Sequence, residues 1–315
     1  MSRYLLTGAT TPIGEALVRE LLRDDGTQVI LTVGAEPLRR RAVEVDGRVR
    51  YERLDLTRER SLRGLMFGLC RELELEVIVD MASHRTTSAV GARARALNVL
   101  TRRRLLELAE AHPTFRRFVY RSYAEVYDVS LSLPSLIDEA HPLDLRPEAP
   151  QWVRDRIEAD LSVCTQMGMS RLSIAVLRAA ECLAPRTGSQ LHDYLASRVC
   201  FRPIGFDPIV NLISEADLGR ALALAARSEA TGIFTIPGAT TLPLSEVIRR
   251  RARTSVSVPG PLMTPLYALR RRVLRTEFDY SINRGRLHFG GVLDGKRAED
   301  KLGYRPEVRV TFPKD

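Results

Sequence analysis

The sequence predicts an α/β fold with a doubly wound parallel sheet and a smaller C-terminal lobe. The chain has 315 residues, 44% of them hydrophobic, and short apolar runs alternate with amphipathic helical segments along its first two thirds. Strands that alternate with helices are typical of a parallel sheet covered by helices on both faces. At roughly 150 residues per domain, the length suits one large domain or a core with an added lobe.

The elements follow one another in a regular order. Residues 3–6 form a short apolar strand, residues 15–23 have the apolar spacing of a helix, and residues 28–33 form a second apolar strand. The same reasoning predicts strands at 49–54, 76–81, 115–121, 172–177 and 232–236, and helices at 61–72, 93–111, 151–167 and 216–227. This order predicts successive β-α-β units in one parallel sheet.

The pattern changes after about residue 183, where proline, glycine and short irregular stretches become more frequent. We therefore predict that residues 1–183 form the core and that residues 210–237 return to it. Residues 184–209 and 238–315 are expected to form the smaller lobe.

Several classes of protein are disfavoured by composition. No run of about 18 apolar residues is present, so no transmembrane span is expected. The first residues lack the pattern of a signal peptide. The four cysteines are scattered without a CxxC pair, and the five histidines share no metal-ligand spacing. We expect a cytoplasmic protein without a metal site.

The net charge of +9 is carried almost entirely by arginine, with 45 arginines and three lysines. A general preference for arginine over lysine explains this, and a basic face for an anionic partner is the alternative. Aromatic residues are 6% of the chain and are not interleaved with the arginines. Nucleic acid and membrane partners are therefore not expected.

Gly8 and Gly14 occupy the turn between the first strand and the first helix. Glycine allows the backbone to approach a pyrophosphate closely, and the helix N-terminus offers unpaired N–H groups and a partial positive charge. Because this turn lies between a strand and a helix, it indicates a Rossmann-type nucleotide site.

Further short motifs follow in order along most of the chain. They are Thr7-Gly8 with Gly14, Asp55-Leu56-Thr57, Asp80-Met81-Ala82-Ser83, Asn98-Val99, residues 119–127, Leu177-Arg178 with Pro185, Asp217, Asp294 with Lys296, and residues 302–306. In these motifs the chain resembles the extended (atypical) short-chain dehydrogenases/reductases, the NAD-dependent epimerase/dehydratase-like family that acts on nucleotide sugars.

The resemblance implies a Rossmann core with a substrate-type lobe and a set of cofactor contacts. The implied contacts are Gly8, Thr10, Thr11, Ile13, Gly14, Asp55, Leu56, Ala82 and Asn98. It also implies a homodimer that pairs through the helices at 93–111 and 151–167.

Two departures concern the cofactor. Thr11 stands at the middle glycine of the fingerprint, and the second strand ends Val33-Gly34 without the acidic residue that holds the ribose 2′-hydroxyl. Arg39, Arg40 and Arg41 follow and could meet a 2′-phosphate; a solvated helix start is the alternative. NAD or NADP is therefore possible, with weak or absent binding left open.

The departures at the catalytic positions are larger. The family uses a tyrosine as acid/base, a lysine four residues later and a serine or threonine on the substrate. Here Trp152 falls on the tyrosine, Arg156 on the lysine and Tyr123 on the serine or threonine, and the chain contains no Y-x-x-x-K. An indole has no titratable proton, and a guanidinium does not release one.

Three functional interpretations follow, of which a basic adaptor for nucleic acid or anionic lipid is the third. The first is a catalytically degenerate relative, a pseudoenzyme that binds a nucleotide or serves as a scaffold or regulatory subunit for a protein partner. The second is an atypical NAD(P)-dependent epimerase, reductase or dehydratase acting on a nucleotide sugar. In the second, Tyr123 is a relocated phenol whose pKa is lowered by nearby Arg156.

Overall fold

The computed structural model of the chain describes residues 2–36, 46–87 and 90–312. The strands described are β1 (Ser2–Thr7), β2 (Thr27–Gly34), β3 (Val49–Arg53), β4 (Val77–Asp80), β5 (Arg117–Tyr123), β6 (Leu136–Ile137), β7 (Ser173–Ala179), β8 (Glu181–Cys182), β9 (Val199–Pro203), β10 (Ile209–Ile213), β11 (Gly232–Ile236), β12 (Thr240–Pro243), β13 (Thr254–Val258) and β14 (Val292–Leu293). The helices described are α1 (Pro12–Leu22), α2 (Glu59–Leu65), α3 (Ala92–Arg95), α4 (Thr101–Ala111), α5 (Gln151–Cys164), α6 (Gln190–Leu195), α7 (Glu215–Arg227), α8 (Leu244–Arg250), α9 (Gly260–Leu274), α10 (Tyr280–His288) and α11 (Lys296–Leu302).

The central sheet has seven strands in the order β11-β7-β5-β4-β1-β2-β3, and every neighbouring pair is parallel. The predicted fold class, a doubly wound parallel sheet, is confirmed. The chain runs outward from β1 in one direction through β2 and β3, and in the other through β4. Ligands of such sheets bind beyond the carboxyl ends of the strands at this switch point.

Two apolar layers enclose the sheet. Successive side chains of a strand face opposite sides, so Tyr4 and Leu6 pack in one layer with α1 and α7, whereas Leu5 packs in the other. Helices α1 and α7 lie very close together, and a Cβ added at Gly219 would lie 2.8 Å from the Cβ of Ala16. The absence of a side chain at Gly219 therefore permits this helix contact.

The predicted helices differ from the observed ones at their ends and centres. Helix α2 continues as a π-helical turn at Met66–Cys70, and α3 passes through another at Ala96–Leu100 into α4. The helix predicted at 151–167 ends at Cys164, ahead of the left-handed Gly168 (φ +79°). Apolar spacing predicted the helical character, but it does not register an inserted π-turn or a short turn after a helix.

Three small sheets lie outside the central one, and residues after β7 form a third apolar cluster. These sheets have the orders β12-β10-β8, β13-β9 and β14-β6. Tyr194, Tyr267 and Phe278 pack at the centre of the cluster. Helix α11 packs against the edge strand β11 and exposes Lys296 and Lys301. Within the described ranges, no helix combines the length and the apolar character that crossing a bilayer requires.

Candidate functional site

A cleft of about 420 Å³ lies beyond the carboxyl ends of β1 to β4. Seven of the nine residues expected to contact a cofactor line it: Gly8, Thr10, Thr11, Ile13, Asp55, Leu56 and Ala82. The other two have supporting positions. Gly14 packs inside α1 against Ala9, and the side-chain oxygen of Asn98 accepts a 2.8 Å hydrogen bond from the backbone N–H of His84.

The glycine turn after β1 is closely packed against the loop after β4. Gly8 has φ +69°, and a Cβ there would lie 2.9 Å from the backbone nitrogen of Ala82. This position therefore requires glycine both for its conformation and for its space. The turn forms one wall of the cleft.

The N-terminus of α1, which faces the cleft, has few free donors. Thr11 is the N-cap, and its hydroxyl accepts a 3.1 Å hydrogen bond from the N–H of Gly14. Pro12, the first helical residue, has no N–H. The N–H of Glu15 bonds to the carbonyl of Thr11. Ile13 thus supplies the remaining free N–H of the first turn. This helix end therefore offers a pyrophosphate fewer N–H donors than an ordinary helix N-terminus does.

We predict that the double substitution Thr11→Gly with Pro12→Ala strengthens binding of ADP at least about tenfold. The substitution releases the Gly14 N–H and adds an N–H at the first helical position, and hydrogen bonds to a charged group contribute about 1.5–3 kcal/mol each. Isothermal titration calorimetry with ADP measures the change. Ser214→Gly, which removes the equivalent cap of α7, is the control and should leave ADP affinity unchanged. Equal affinity of the double variant and the wild type would contradict the prediction.

A polar bridge spans the cleft. Glu36, two residues after β2, forms ion pairs with Arg85 at 3.4 Å and Arg186 at 3.7 Å. Arg85 also donates to the hydroxyl of Thr10 at 3.1 Å. Arg39, Arg40 and Arg41, considered above for a 2′-phosphate, lie outside the described residues. Arg85 and Arg186 are therefore placed where they could meet phosphate oxygens near the glycine turn.

The three altered catalytic positions lie in contact with one another. The guanidinium carbon of Arg156 is 3.6 Å from the ring centre of Tyr123 and 4.1 Å from that of Trp152. On the far side, the guanidinium carbon of Arg121 is 3.9 Å from the same Tyr123 ring. Because Trp152 and Arg156 are four residues apart on α5, they share one face of the helix. The four side chains form a stack, which we call the junction stack.

Arg156 has further partners within the protein. Its guanidinium pairs with the carboxylate of Glu125 and donates to the carbonyl oxygen of Gly188 at 3.1 Å. Burial lowers its pKa. In the described part of the chain, the indole N–H of Trp152 has no hydrogen-bond acceptor. Arg156 is therefore engaged by tyrosine, tryptophan and glutamate together.

Tyr123 has an unusual electrostatic environment. Burial raises the pKa of its phenol, but the charges of Arg121 and Arg156 and a 2.6 Å hydrogen bond shared with Ser83 outweigh burial. The more distant charge of Arg102 acts in the same direction. The net result is a lowered pKa, whereas burial raises the pKa of seven other tyrosines.

We predict that the stability difference between wild type and Tyr123→Phe grows as pH rises toward about 10, the ordinary tyrosine pKa. The lowered pKa means that the unfolded state binds more protons in this range, so the phenolate stabilises the fold increasingly with pH. This contribution is fully present above the unfolded pKa and is lost as pH falls through the folded pKa. Urea unfolding at several pH values measures it. Tyr280→Phe is the control, because burial raises the pKa of Tyr280. A difference that does not change with pH would contradict the lowered pKa.

A buried ion pair supports the strand that carries Tyr123. Asp160 on α5 accepts from both Arg178 on β7, at 2.6 and 3.1 Å, and the Ser122 hydroxyl, at 2.5 Å. Asp160 is fully buried and Arg178 is 3% exposed. This pair joins α5, β5 and β7 beneath the junction stack.

A second, smaller cavity of about 80 Å³ lies on the lobe side of Tyr123. Arg121 and Thr187 line both this cavity and the cleft, so the two spaces meet at these residues. Among the residues described, no group of three or more His, Cys, Asp and Glu side chains is placed to hold a metal ion.

The fold and the site define a Rossmann-type protein with the layout of an extended short-chain dehydrogenase/reductase. The family model of the NAD dependent epimerase/dehydratase family matches residues 4–198, and the chain belongs to that family. It is 30% identical over 310 residues to the uncharacterized protein Rv0501 of Mycobacterium tuberculosis (strain H37Rv), covering 96% of this chain and 80% of that protein.

Solved structures of similar fold include three sugar-nucleotide enzymes. The dTDP-glucose 4,6-dehydratase of Bacillus anthracis in complex with NAD has a TM-score of 0.71 and 16% identity, covering 99% of this chain and 93% of that one. The UDP-glucuronic acid 4-epimerase of Bacillus cereus, also in complex with NAD, has a TM-score of 0.71 and 15% identity. The match covers 98% of this chain and 94% of that one. DesIV, a dTDP-glucose 4,6-dehydratase of Streptomyces venezuelae with NAD bound, has a TM-score of 0.71 and 21% identity. The match covers 98% of this chain and 92% of that one. These similarities show the fold.

Sequence reasoning assigned no role to four polar residues of the site, Glu36, Ser83, Arg85 and Arg121, although Ser83 belongs to one of the motifs. The first three follow directly after β2 or β4. Polar side chains at the carboxyl ends of parallel strands are the signal that could have identified them. Arg121 lies inside β5, where no such signal exists.

Proposed function

We propose that this protein is a nucleotide-binding member of its family that no longer transfers hydride or protons. In this proposal it binds the adenosine diphosphate part of NAD(P) weakly and acts as a scaffold or regulatory protein for a protein partner. The observation that carries the proposal is the junction stack, in which Arg156 contacts Tyr123, Trp152 and Glu125 at once.

The chemistry of the stack supports this proposal. General acid–base catalysis needs a group that gains and loses a proton within reach of the substrate. Trp152 has no such proton, and the guanidinium of Arg156 is occupied by partners in the protein. In addition, the cavity beside Tyr123 has about 80 Å³. Small-molecule sites usually have roughly 300–1,000 Å³.

The cleft supports the nucleotide part of the proposal. The glycine turn, Asp55 and Leu56 line a space of about 420 Å³ where the adenosine half of a dinucleotide would lie. Ile13 would donate its N–H to the pyrophosphate, and Arg85 would approach the same group. A bound NAD(P) would supply hydride transfer. The adenosine end therefore fits the site better than the nicotinamide end does.

A second candidate function rests on the environment of Tyr123. Its lowered pKa and its hydrogen bond with Ser83 are properties that favour a phenol as an acid or base. With these properties the protein would be an atypical NAD(P)-dependent epimerase, reductase or dehydratase acting on a nucleotide sugar, with Tyr123 as the acid or base.

One set of measurements tests both candidates. Calorimetry with ADP, NAD⁺ and NADP⁺ is expected to give dissociation constants of about 1 mM or somewhat tighter, with little gain from the nicotinamide half. Incubation with UDP- and dTDP-hexoses in the presence of NAD⁺ or NADP⁺ is expected to give no reduced cofactor and no new sugar. NAD(P)-dependent turnover that Tyr123→Phe abolishes would overturn the proposal and establish the second candidate.

We also propose a homodimer that pairs through the long helices. Leu145 and Leu161 are exposed beside Arg103, and Leu100 is exposed in the adjacent groove. Leu161→Glu is expected to convert the dimer to a monomer in sedimentation velocity measurements, because it would bury a charge in the interface. Leu131→Glu, at an exposed loop leucine, is the control. A wild-type monomer, or a variant that remains dimeric, would contradict this proposal.

A further inference from the structure

Arg121 is a buried cation without a counter-charge in the part of the chain that the structure describes. It is 6% exposed, and its Nε is shielded from solvent without an acceptor. Among the described residues it forms no hydrogen bond and no ion pair, and its one close partner is the ring of Tyr123. Burying a charge without a partner is strongly unfavourable, so such a group usually indicates a ligand or an ion.

Arg121 lies where the cleft meets the small cavity, and it lines both. Arg286, from α10 in the C-terminal lobe, lines the same small cavity. Its Nη1 is also shielded from solvent and has no acceptor in the described chain. The two arginines therefore line one small cavity, one from the core sheet and one from the lobe.

The carboxylates that line this cavity are engaged elsewhere. Glu125 pairs with Arg156. Glu181 accepts a 2.9 Å hydrogen bond from the hydroxyl of Ser189 and a 2.6 Å hydrogen bond from the N–H of Leu191, both at the start of α6. Glu181 attracts Arg286 from a distance but does not pair with it. The cavity thus keeps two guanidinium groups available for hydrogen bonds.

We propose that Arg121 and Arg286 form a binding site for one oxyanion group of a ligand, a phosphate or a carboxylate. A guanidinium presents several donors in a plane that matches such a group, and two of them can bind it from opposite sides. A water molecule needs roughly 10–15 Å³ of such space, so a cavity of about 80 Å³ accepts one small anionic group.

The site also predicts which ligands are disfavoured. Arg121 would repel a positively charged group, such as an oxidised nicotinamide ring, that approached the junction of the two spaces. A ligand that carries an anionic group at this end binds better. The inference concerns the small cavity and does not depend on nucleotide binding in the cleft.

Inorganic phosphate and acetate, each compared with chloride at equal ionic strength, are the probes. Phosphate is expected to raise the melting temperature of the intact protein above the value in chloride. It is also expected to move the ionisation of Tyr123 to higher pH, because a bound anion offsets the charge of Arg121. This shift is measured in the ultraviolet difference spectrum of tyrosinate against Tyr123→Phe. An effect of acetate as well would indicate that the site accepts carboxylates; an effect of phosphate alone would assign it to phosphates.

Variants assign the effect to this site. Arg121→Gln is expected to weaken phosphate binding at least about tenfold. Arg286→Gln is expected to do the same and lies in the lobe, so it tests the site independently if the first variant does not fold. Arg249→Gln, at an exposed arginine of α8, is the control and should respond as the wild type does. Arg85→Gln, at the polar bridge of the cleft, tests the alternative that phosphate binds there instead.

The inference is overturned if phosphate acts no more strongly than chloride, or if Arg85→Gln loses the response while Arg121→Gln keeps it. Calorimetry with ADP separates this result from the function proposed above. If ADP binds and phosphate has no specific effect, this inference alone fails. If phosphate acts and ADP does not bind, the nucleotide proposal fails and this inference stands.

Discussion

Replacing Asp160 by alanine is expected to lower the free energy of unfolding by about 3–5 kcal/mol. The substitution leaves Arg178 buried without its counter-charge and deprives the Ser122 hydroxyl of its acceptor. An unpaired buried charge costs far more than the pair itself contributes, since burial has already removed the arginine from water. Urea unfolding followed by circular dichroism measures the loss.

Glu158→Ala is the matched control on the same helix. Glu158 is partly exposed and pairs with Arg95 and Arg103 at the surface, so its loss should cost about 1 kcal/mol or less. The double substitution of Asp160→Leu with Arg178→Met should recover much of the lost stability, because it removes both charges. If Asp160→Ala costs no more than Glu158→Ala, the buried pair does not have the role inferred here.

Gly14→Ala is expected to destabilise the fold by about 1–3 kcal/mol. Gly14 is in the first turn of α1, and a Cβ there would lie 2.4 Å from the Cα of Ala9. The obstacle is backbone rather than a flexible side chain, so the glycine turn itself must shift. Nucleotide binding should weaken as well, since the same turn forms one wall of the cleft. Thermal and urea unfolding measure the first effect, and calorimetry with ADP the second.

Gly64→Ala should change the free energy of unfolding in the opposite direction. Gly64 lies in α2, and an added Cβ would meet no atom within 4 Å. Alanine there should stabilise the protein by about 0.5–1 kcal/mol, because it favours the helix. Similar changes at Gly14 and Gly64 would show that close packing of the glycine turn is not the cause.

The central sheet could be predicted because its signals are local. Each strand is a short apolar run, and each following helix has its own spacing of apolar residues. The lobe could not be predicted in the same way. Strands β13 and β9 pair although about 50 residues separate them in the chain, and their short sequences carry no sign of that pairing.

Part of the candidate site could likewise be predicted from the sequence, and part could not. Spacing alone places Trp152 and Arg156 on one helical face, and the family resemblance adds Tyr123 beside them. Their contact in the structure agrees with both. That Arg121 has no hydrogen-bond acceptor among the described residues could not be predicted from the sequence, because it depends on which side chains the fold brings near. The bridge from Glu36 depends in the same way on where three loops meet.

The arginine-rich composition has a practical consequence through helix α11. Lys296 and Lys301 are the side-chain amines within the described residues, and both are exposed on this helix, beside the edge strand β11. Coupling through these two lysines will therefore attach the protein to a sensor surface or a dye by one edge of the sheet. The cleft, at the carboxyl ends of β1 to β4, then stays open to injected ligand.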